Sequence, residues 1–169
     1  MSKVASQSSS KFDFSNAVKS AKEASSGGSG NFLRLADGQS VEVVFSGEIV
    51  EIAGTWRDKR FVPWQPEYAS EGFHKSVRYA LLAIRLDERR AVVIEINRPT
   101  IIEWGDDLAD GVEDKVVRLK RIGGLGDPKA RTTARVVRNL RGEESDELDT
   151  IPQPSLEVIY ADFLGNKAA

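Results

Sequence analysis

The 169-residue chain is long enough for one ordinary domain with tails, and it is 40% hydrophobic and 30% charged. It has no cysteine and one histidine, His74, which excludes a disulfide framework, a thiol nucleophile and a cysteine-based zinc site, and makes a histidine-cluster metal site or a histidine-based triad almost untenable. The net charge of −2 conceals an asymmetry: residues 1–30 and 31–141 each carry +2, and residues 142–169 carry −6, so a mildly basic body is joined to an acidic end.

Residues 1–30 read as a flexible N-terminal tail, from the polar run SQSSSK and the linker-like SSGGSG. MSKVASQSSS lacks the apolar centre of a secretory leader. No apolar run approaches the roughly 18 residues that cross a bilayer, so the expected location is cytoplasmic. Between the polar runs, FDFSNAVKSAKEA places Phe14, Ala17, Val18 and Ala21 at helical spacing. It is a candidate docking segment for self-association or partner contact.

From Asn31 the pattern changes to period two. NFLRL predicts a short strand, ADGQ a turn and SVEVVFSGEIVEIA a long strand, with Val41, Val43 and Phe45 on one face and Gly47 permitting a bend. Residues 54–72, with two prolines and four aromatics, predict an extended loop. HKSVRYALLAIRL and AVVIEI form a hairpin about the turn DERR, and PTIIEWGDDLADG predicts a short helix or an irregular turn. DKVVRLKRI and ARTTARVVR are two further strands bracketing GGLGDPK. The fold class is therefore all-β. Five strands counted from the long one, with a short helix between the third and fourth, is the order of the OB-fold, a Greek-key barrel over residues 31–141; an SH3-like barrel and a small sandwich are the competitors.

Residues 142–169 complete the chain as a tail. GEESDELDTIPQPS is acidic, proline-bearing and without apolar period, and predicts disorder. LEVIYADFLGNKAA regains apolar residues. Two readings of it stay open: a peptide that docks elsewhere, and a final helix packed on the barrel.

Two stretches carry candidate chemistry. KRIGGLGDPKARTTARVVR has glycines beside cations, yet Lys129 is followed by Ala130 rather than Ser or Thr, and the downstream segment is β-rich. A nucleotide-binding loop needs both the hydroxyl and a helix N-terminus. A hairpin whose cations Lys120, Arg121, Lys129, Arg131 and Arg135 approach phosphates is the better reading. TWRDKRFVPWQPEYASEGFHKSVRY interleaves Trp56, Phe61, Trp64 and Tyr79 with Arg57, Lys59, Arg60, Lys75 and Arg78. Single-stranded nucleic acid needs both kinds of group, because bases stack on rings and cations track phosphates. Tyr79 alternates with Val77 and Leu81, so a core position is as expected for it as stacking. Asp106, Asp107 and Asp110 lack the spacing of a calcium loop. No metal, cofactor or acid–base set is indicated, and the chain does not read as an enzyme.

The runs NFLRLADGQSVEVVFSGE, KSVRYALLAIRL and RLKRIGGLG…RTTARVV together resemble single-stranded-DNA-binding proteins of tailed bacteriophages, the group similar to the T-even phage helix-destabilising protein. The resemblance covers roughly residues 31–138. It implies an OB-fold that coats single-stranded DNA in replication, recombination and repair inside a bacterial host cell. It also implies an acidic C-terminal tail that recruits replication or recombination proteins, here Glu143, Glu144, Asp146, Glu147 and Asp149. The chain departs from the group in lacking any Cys–His zinc insertion and in carrying Ala134 where an aromatic often follows the Thr of the last strand. The rival reading from another class is a protein-interaction adaptor that uses the barrel as scaffold and its tails for docking.

Overall fold

The computed structural model describes residues 31–168; the expectations for the N-terminal tail lie outside them. The described residues form a mostly β structure with strands β1 (Ser40–Arg57), β2 (Arg60–Pro63), β3 (Ser76–Arg85), β4 (Arg90–Asn97), β5 (Lys115–Ile122) and β6 (Arg131–Asn139). Its helices are α1 (Glu67–Ser70), α2 (Arg98–Asp107), α3 (Gly142–Leu148), α4 (Leu156–Ile159) and α5 (Ala161–Ala168). None of the helices is long and apolar enough to cross a membrane.

All six strands pair antiparallel in one sheet, in the order β4-β3-β1-β5-β6, with β2 on the end of β1. No pairing joins β4 to β6 among the described residues, so the sheet is open. Its two ends nevertheless share one core: Ile94 and Ile96 of β4 cluster with Ala134 of β6, Val41 and Val43 of β1, and Val117 and Leu119 of β5. The sheet must curl for that to happen. Trp104 of α2 plugs the same core at 2% exposure, and its indole N–H donates to the Thr132 carbonyl at 2.8 Å. Asn97 starts α2 by accepting from the Thr100 N–H, with Pro99 in the first turn.

The bend of β1 is visible in its register. Pairing with β3 shifts between Phe45 and Ile49, around Gly47 at φ 89°. A bulge of this kind re-aims the strand. It lets β1 pair with β5 at one end, through Ser40–Val43, and with β2 at the other, through Gly54–Arg57.

Three expectations need correction. There are six strands and not five, and NFLRL contributes only an isolated bridge, Phe32 to Val93. Residues 54–72 are not an extended loop, since β1 runs on to Arg57 and turns into β2 through Asp58 and Lys59, at φ 52° and 65°. Two consecutive positive φ values are the geometry of a tight hairpin turn, usually signalled by Asn-Gly. Gly54 is required there: a Cβ would lie 2.3 Å from the Val62 carbonyl oxygen. Finally, the acidic segment is neither disordered nor a free tail. α3 is a helix with Glu143 and Glu144 in its first turn, where the backbone dipole favours anions, and with Leu148 buried.

The C-terminal helices explain the apolar strands. In ALLAI and AVVI both faces are buried, the pattern of a sheet covered on two sides. Tyr79, Leu81 and Ala83 face the core with α2, whereas Ala80, Leu82, Ala91 and Val93 face outward. Leu156, Tyr160, Phe163 and Leu164 lie over that outward face, with Leu156 fully buried. Leu148 and Ile151 cover Ile84, Val44 and Val116 in the same way.

Candidate nucleic-acid interface

The candidate residues divide between the two ends of β1. At the β2 end, Trp56 pairs across the hairpin with Phe61, ring centroids 5.4 Å apart. Trp56 is 56% exposed, whereas Phe61 is half-buried and stacks flat on Phe163 of α5 at 5.7 Å. Arg78 lies opposite Ile52 and beside both rings, its guanidinium 6.0 Å from the Trp56 centroid and 5.7 Å from that of Phe61. Its Nε is buried with no hydrogen-bond partner, so the π-faces are the neighbours that oppose its charge.

Trp56, Lys75, Arg78, Asn97 and Arg98 line a depression of about 350 Å³, completed by Ser76, Val77 and Pro99. It holds three cations, one exposed indole and no carboxylate. α2 begins at this depression, with Arg98 and Pro99 in its first turn and in the lining. Arg98 was missed by the sequence reading. The Asn-Arg-Pro at the end of AVVIEI was its only signal, and that signal marks a strand-to-helix junction rather than a charge cluster.

Other residues of the aromatic stretch satisfy one another. Arg57 lies 5.0 Å from the Tyr68 ring centroid and 5.5 Å from that of Phe73, and pairs with Glu71 at 3.8 Å. Its pKa is raised, first by Tyr68 and then by Glu71. Trp64 packs edge-on against Tyr68 at 5.9 Å. These groups pin α1 against the hairpin. Tyr79 packs against the inner core, so its strand alternation and not its aromaticity decides its place. Lys59 and Arg60 are exposed at the hairpin turn.

At the β5 end the register builds a ladder of cations on one face. Arg118 opposes Arg135, Lys120 opposes Thr133 and Ile122 opposes Arg131. Arg121 falls on the other face, where its Nε donates to the Gly123 carbonyl at 3.1 Å. Lys129 is exposed in the connecting loop. Arg131 pairs with Glu103 of α2 at 3.5 Å. The ladder floors a cleft of about 860 Å³, lined by Arg89, Arg118, Lys120, Arg135 and Arg138 together with Glu42, Asp87, Glu144 and Glu147.

Here the acidic helix meets the body. Glu144 accepts from both terminal nitrogens of Arg138, at 2.7 and 2.8 Å, and from the Arg141 N–H at 3.1 Å. Glu147 accepts from Arg89 at 2.6 Å. Arg138, and then the Arg141 amide, hold the Glu144 carboxyl down at about 2. Glu143, Asp146 and Asp149 stay exposed. Arg118 is paired with Glu42 at 2.9 Å, while Lys120 and Arg135 have no ion-pair partner among the described residues.

α4 and α5 adjoin the aromatic corner. The Tyr160 hydroxyl donates to the Glu95 carboxylate, its pKa raised by burial and by that neighbouring charge. Glu48 accepts from the Leu156 N–H at 3.0 Å. No group of three or more metal-ligating side chains occurs among the described residues. Comparison of the sequence with known protein families and with curated proteins, and of the structure with solved structures, yields no significant match.

Proposed function

We propose that the protein binds single-stranded nucleic acid, DNA in the first place, with little sequence preference and without catalysing a reaction. The observation that carries this reading is the carboxylate-free depression in which exposed Trp56 stands beside Arg78, Lys75 and Arg98. An unpaired base stacks on such an indole for about 1–3 kcal/mol, and the cations meet its phosphates. A duplex offers no free base face, so stacking selects single strands.

The strand order supports an OB-fold assignment. β1, β3, β4, β5 and β6 follow the Greek-key order of that partly open barrel, with α2 between its third and fourth strands. β2 and α1 then belong to the loop after its first strand, and Gly123–Ala130 to the loop between its last two. In that fold these two loops, and the face of the second and third strands, hold oligonucleotides. Here α4 and α5 cover part of that face and leave its Trp56 end open. The role that follows is protection of single strands in replication, recombination or repair, with the exposed Glu143, Asp146 and Asp149 available to partner proteins.

The test is a titration of labelled oligo-dT, duplex DNA and single-stranded RNA at two salt concentrations. Tight, salt-sensitive binding of oligo-dT that Trp56→Ala weakens is the expected result. Absence of binding to any nucleic acid would overturn it and favour a protein adaptor. The adaptor reading has one observation of its own: the β3–β4 face is already a protein-binding surface, occupied by α4 and α5.

A further inference from the structure

A second surface, on the other side of the sheet from α4 and α5, has a different chemistry. An apolar slot of about 310 Å³ opens between the β1 bulge and the C-terminal half of α2, lined by Phe45, Ile49, Leu81, Ile101, Leu108 and Val112 among others. Ile49 is half-exposed at its edge. The bulge supplies one wall of the slot, through Phe45, Gly47, Glu48 and Ile49.

Glu48 lines the slot, and the segment that supplies Ile101, Leu108 and Val112 is acidic as far as Lys115, whose Nζ donates to the Asp110 carbonyl at 3.2 Å. Residues 99–114 contain six acidic side chains and no basic one. Asp106, Asp107, Asp110 and Glu113 are exposed and have no ion-pair partner among the described residues. An apolar slot with an acidic rim fits an amphipathic segment that carries lysines beside its apolar face. It does not fit nucleic acid, which the rim repels.

One segment of this chain has that composition. Lys11–Lys22, KFDFSNAVKSAK, carries three lysines and one acidic residue, with Phe14, Ala17, Val18 and Ala21 at the spacing of one helix face. The acidic C-terminal segment is excluded as occupant, because it is docked elsewhere and has the wrong charge. Reach is ample. Asn31 is tied to β4, its carbonyl accepting from the Val93 N–H at 2.7 Å. The 17 residue steps from Phe14 to Asn31 span up to roughly 55 Å. A domain of this size has a radius of gyration of only about 14 Å. A tether of that length holds the segment at an effective concentration on the order of millimolar. At micromolar protein the segment's own domain therefore outcompetes a second copy.

We propose that Lys11–Lys22 docks within its own chain into this slot, with Phe14 as the apolar anchor and Lys11, Lys19 and Lys22 against the acidic rim, in the helix-in-groove mode. The absence of native cysteine makes the test clean. A nitroxide is attached to a Ser10→Cys variant of the full chain, and relaxation of the methyl groups is read by NMR. The expected result is enhancement at Ile49, Leu81, Ile101, Leu108 and Val112 several-fold above that at Leu148 and Ile151. It should be lost with Phe14→Ala, and it should decline as salt is raised toward 1 M, where screening shortens to about 3 Å. Uniform or absent enhancement would overturn the proposal, as would enhancement centred on another face. A mixture of spin-labelled, isotope-free chains with isotope-labelled, nitroxide-free chains separates the remaining occupant. Equal enhancement in that mixture would assign the slot to a second copy and overturn intramolecular docking.

Discussion

The two ends of β1 carry the same kinds of cation in opposite electrostatic states. At the Trp56 end, Lys75, Arg78 and Arg98 share a depression without a carboxylate, and Arg78 lies against the rings of Trp56 and Phe61. At the Lys120 end, five cations share a larger cleft with four carboxylates, two of them on α3. A depression of unmatched cations attracts a polyanion. In the larger cleft carboxylates pair Arg89, Arg118 and Arg138 and lie beside Lys120 and Arg135, so it attracts one less strongly. Sequence position therefore says little about readiness to bind; what matters is which side chains from distant parts of the chain face each cation.

The largest expected effect concerns whether the matched state is part of the fold. Leu148→Ala removes a buried side chain that seats α3, the helix of Glu144 and Glu147, over Val44, Ile84 and Val116. It should cost about 2–5 kcal/mol in denaturant unfolding. An unchanged midpoint would mean that α3 is part of a loose tail, and the contrast between the ends would disappear.

Next, Trp56→Ala should weaken oligo-dT binding by about 1–3 kcal/mol, or roughly 5- to 150-fold, by loss of stacking. The melting temperature should hold, because the ring is mostly exposed. Arg135→Ala, in the cleft that also holds four carboxylates, should cost less at low salt. An equal loss from both variants would erase the distinction.

The paired change Glu144→Gln and Glu147→Gln should raise oligo-dT affinity at low salt by a few-fold and leave it unchanged at high salt, because exposed charge pairs are weak and screened. Unaltered binding at low salt would show that the cleft takes no part.

The smallest effect is a pH window. The Glu144 carboxyl is held at about 2 against an ordinary value of 4.5, chiefly by Arg138. A depressed carboxyl contributes stability that is present above the ordinary value and is lost as pH falls through the folded value. Docking of α3 should therefore be complete at neutral pH and weaken from pH 4.5 down to about 2. Carboxyl NMR titration reads this directly, and Arg138→Ala should return Glu144 toward its ordinary value. No return would mean that another group holds it.

Several parts of the molecule were legible from local pattern. The β3–β4 hairpin, both strands of the last hairpin and the inward set Val41, Val43 and Phe45 follow from alternation. The β1–β2 turn was hidden because Asp58 and Lys59 adopt a conformation that glycine usually announces. α3 was hidden because EESDELD has the composition of a disordered linker, and only Arg138 and the pocket around Leu148 make it a packed helix. Of the candidate stacking rings, Trp56 stands exposed, whereas Phe61 is stacked under Phe163, more than a hundred residues away.

Sequence alone determined five of the six strands and the inward face of β1, because side-chain alternation is a property of neighbouring residues. It also determined that the chain has cations, aromatics and carboxylates in quantity. The tertiary structure decided which cations stay unmatched. Arg89 meets Glu147 across 58 residues, and Leu156 is tied to Glu48 across 108. Contacts at that separation depend on how the sheet curls and on what lies over its outer face. No local window of sequence contains both partners.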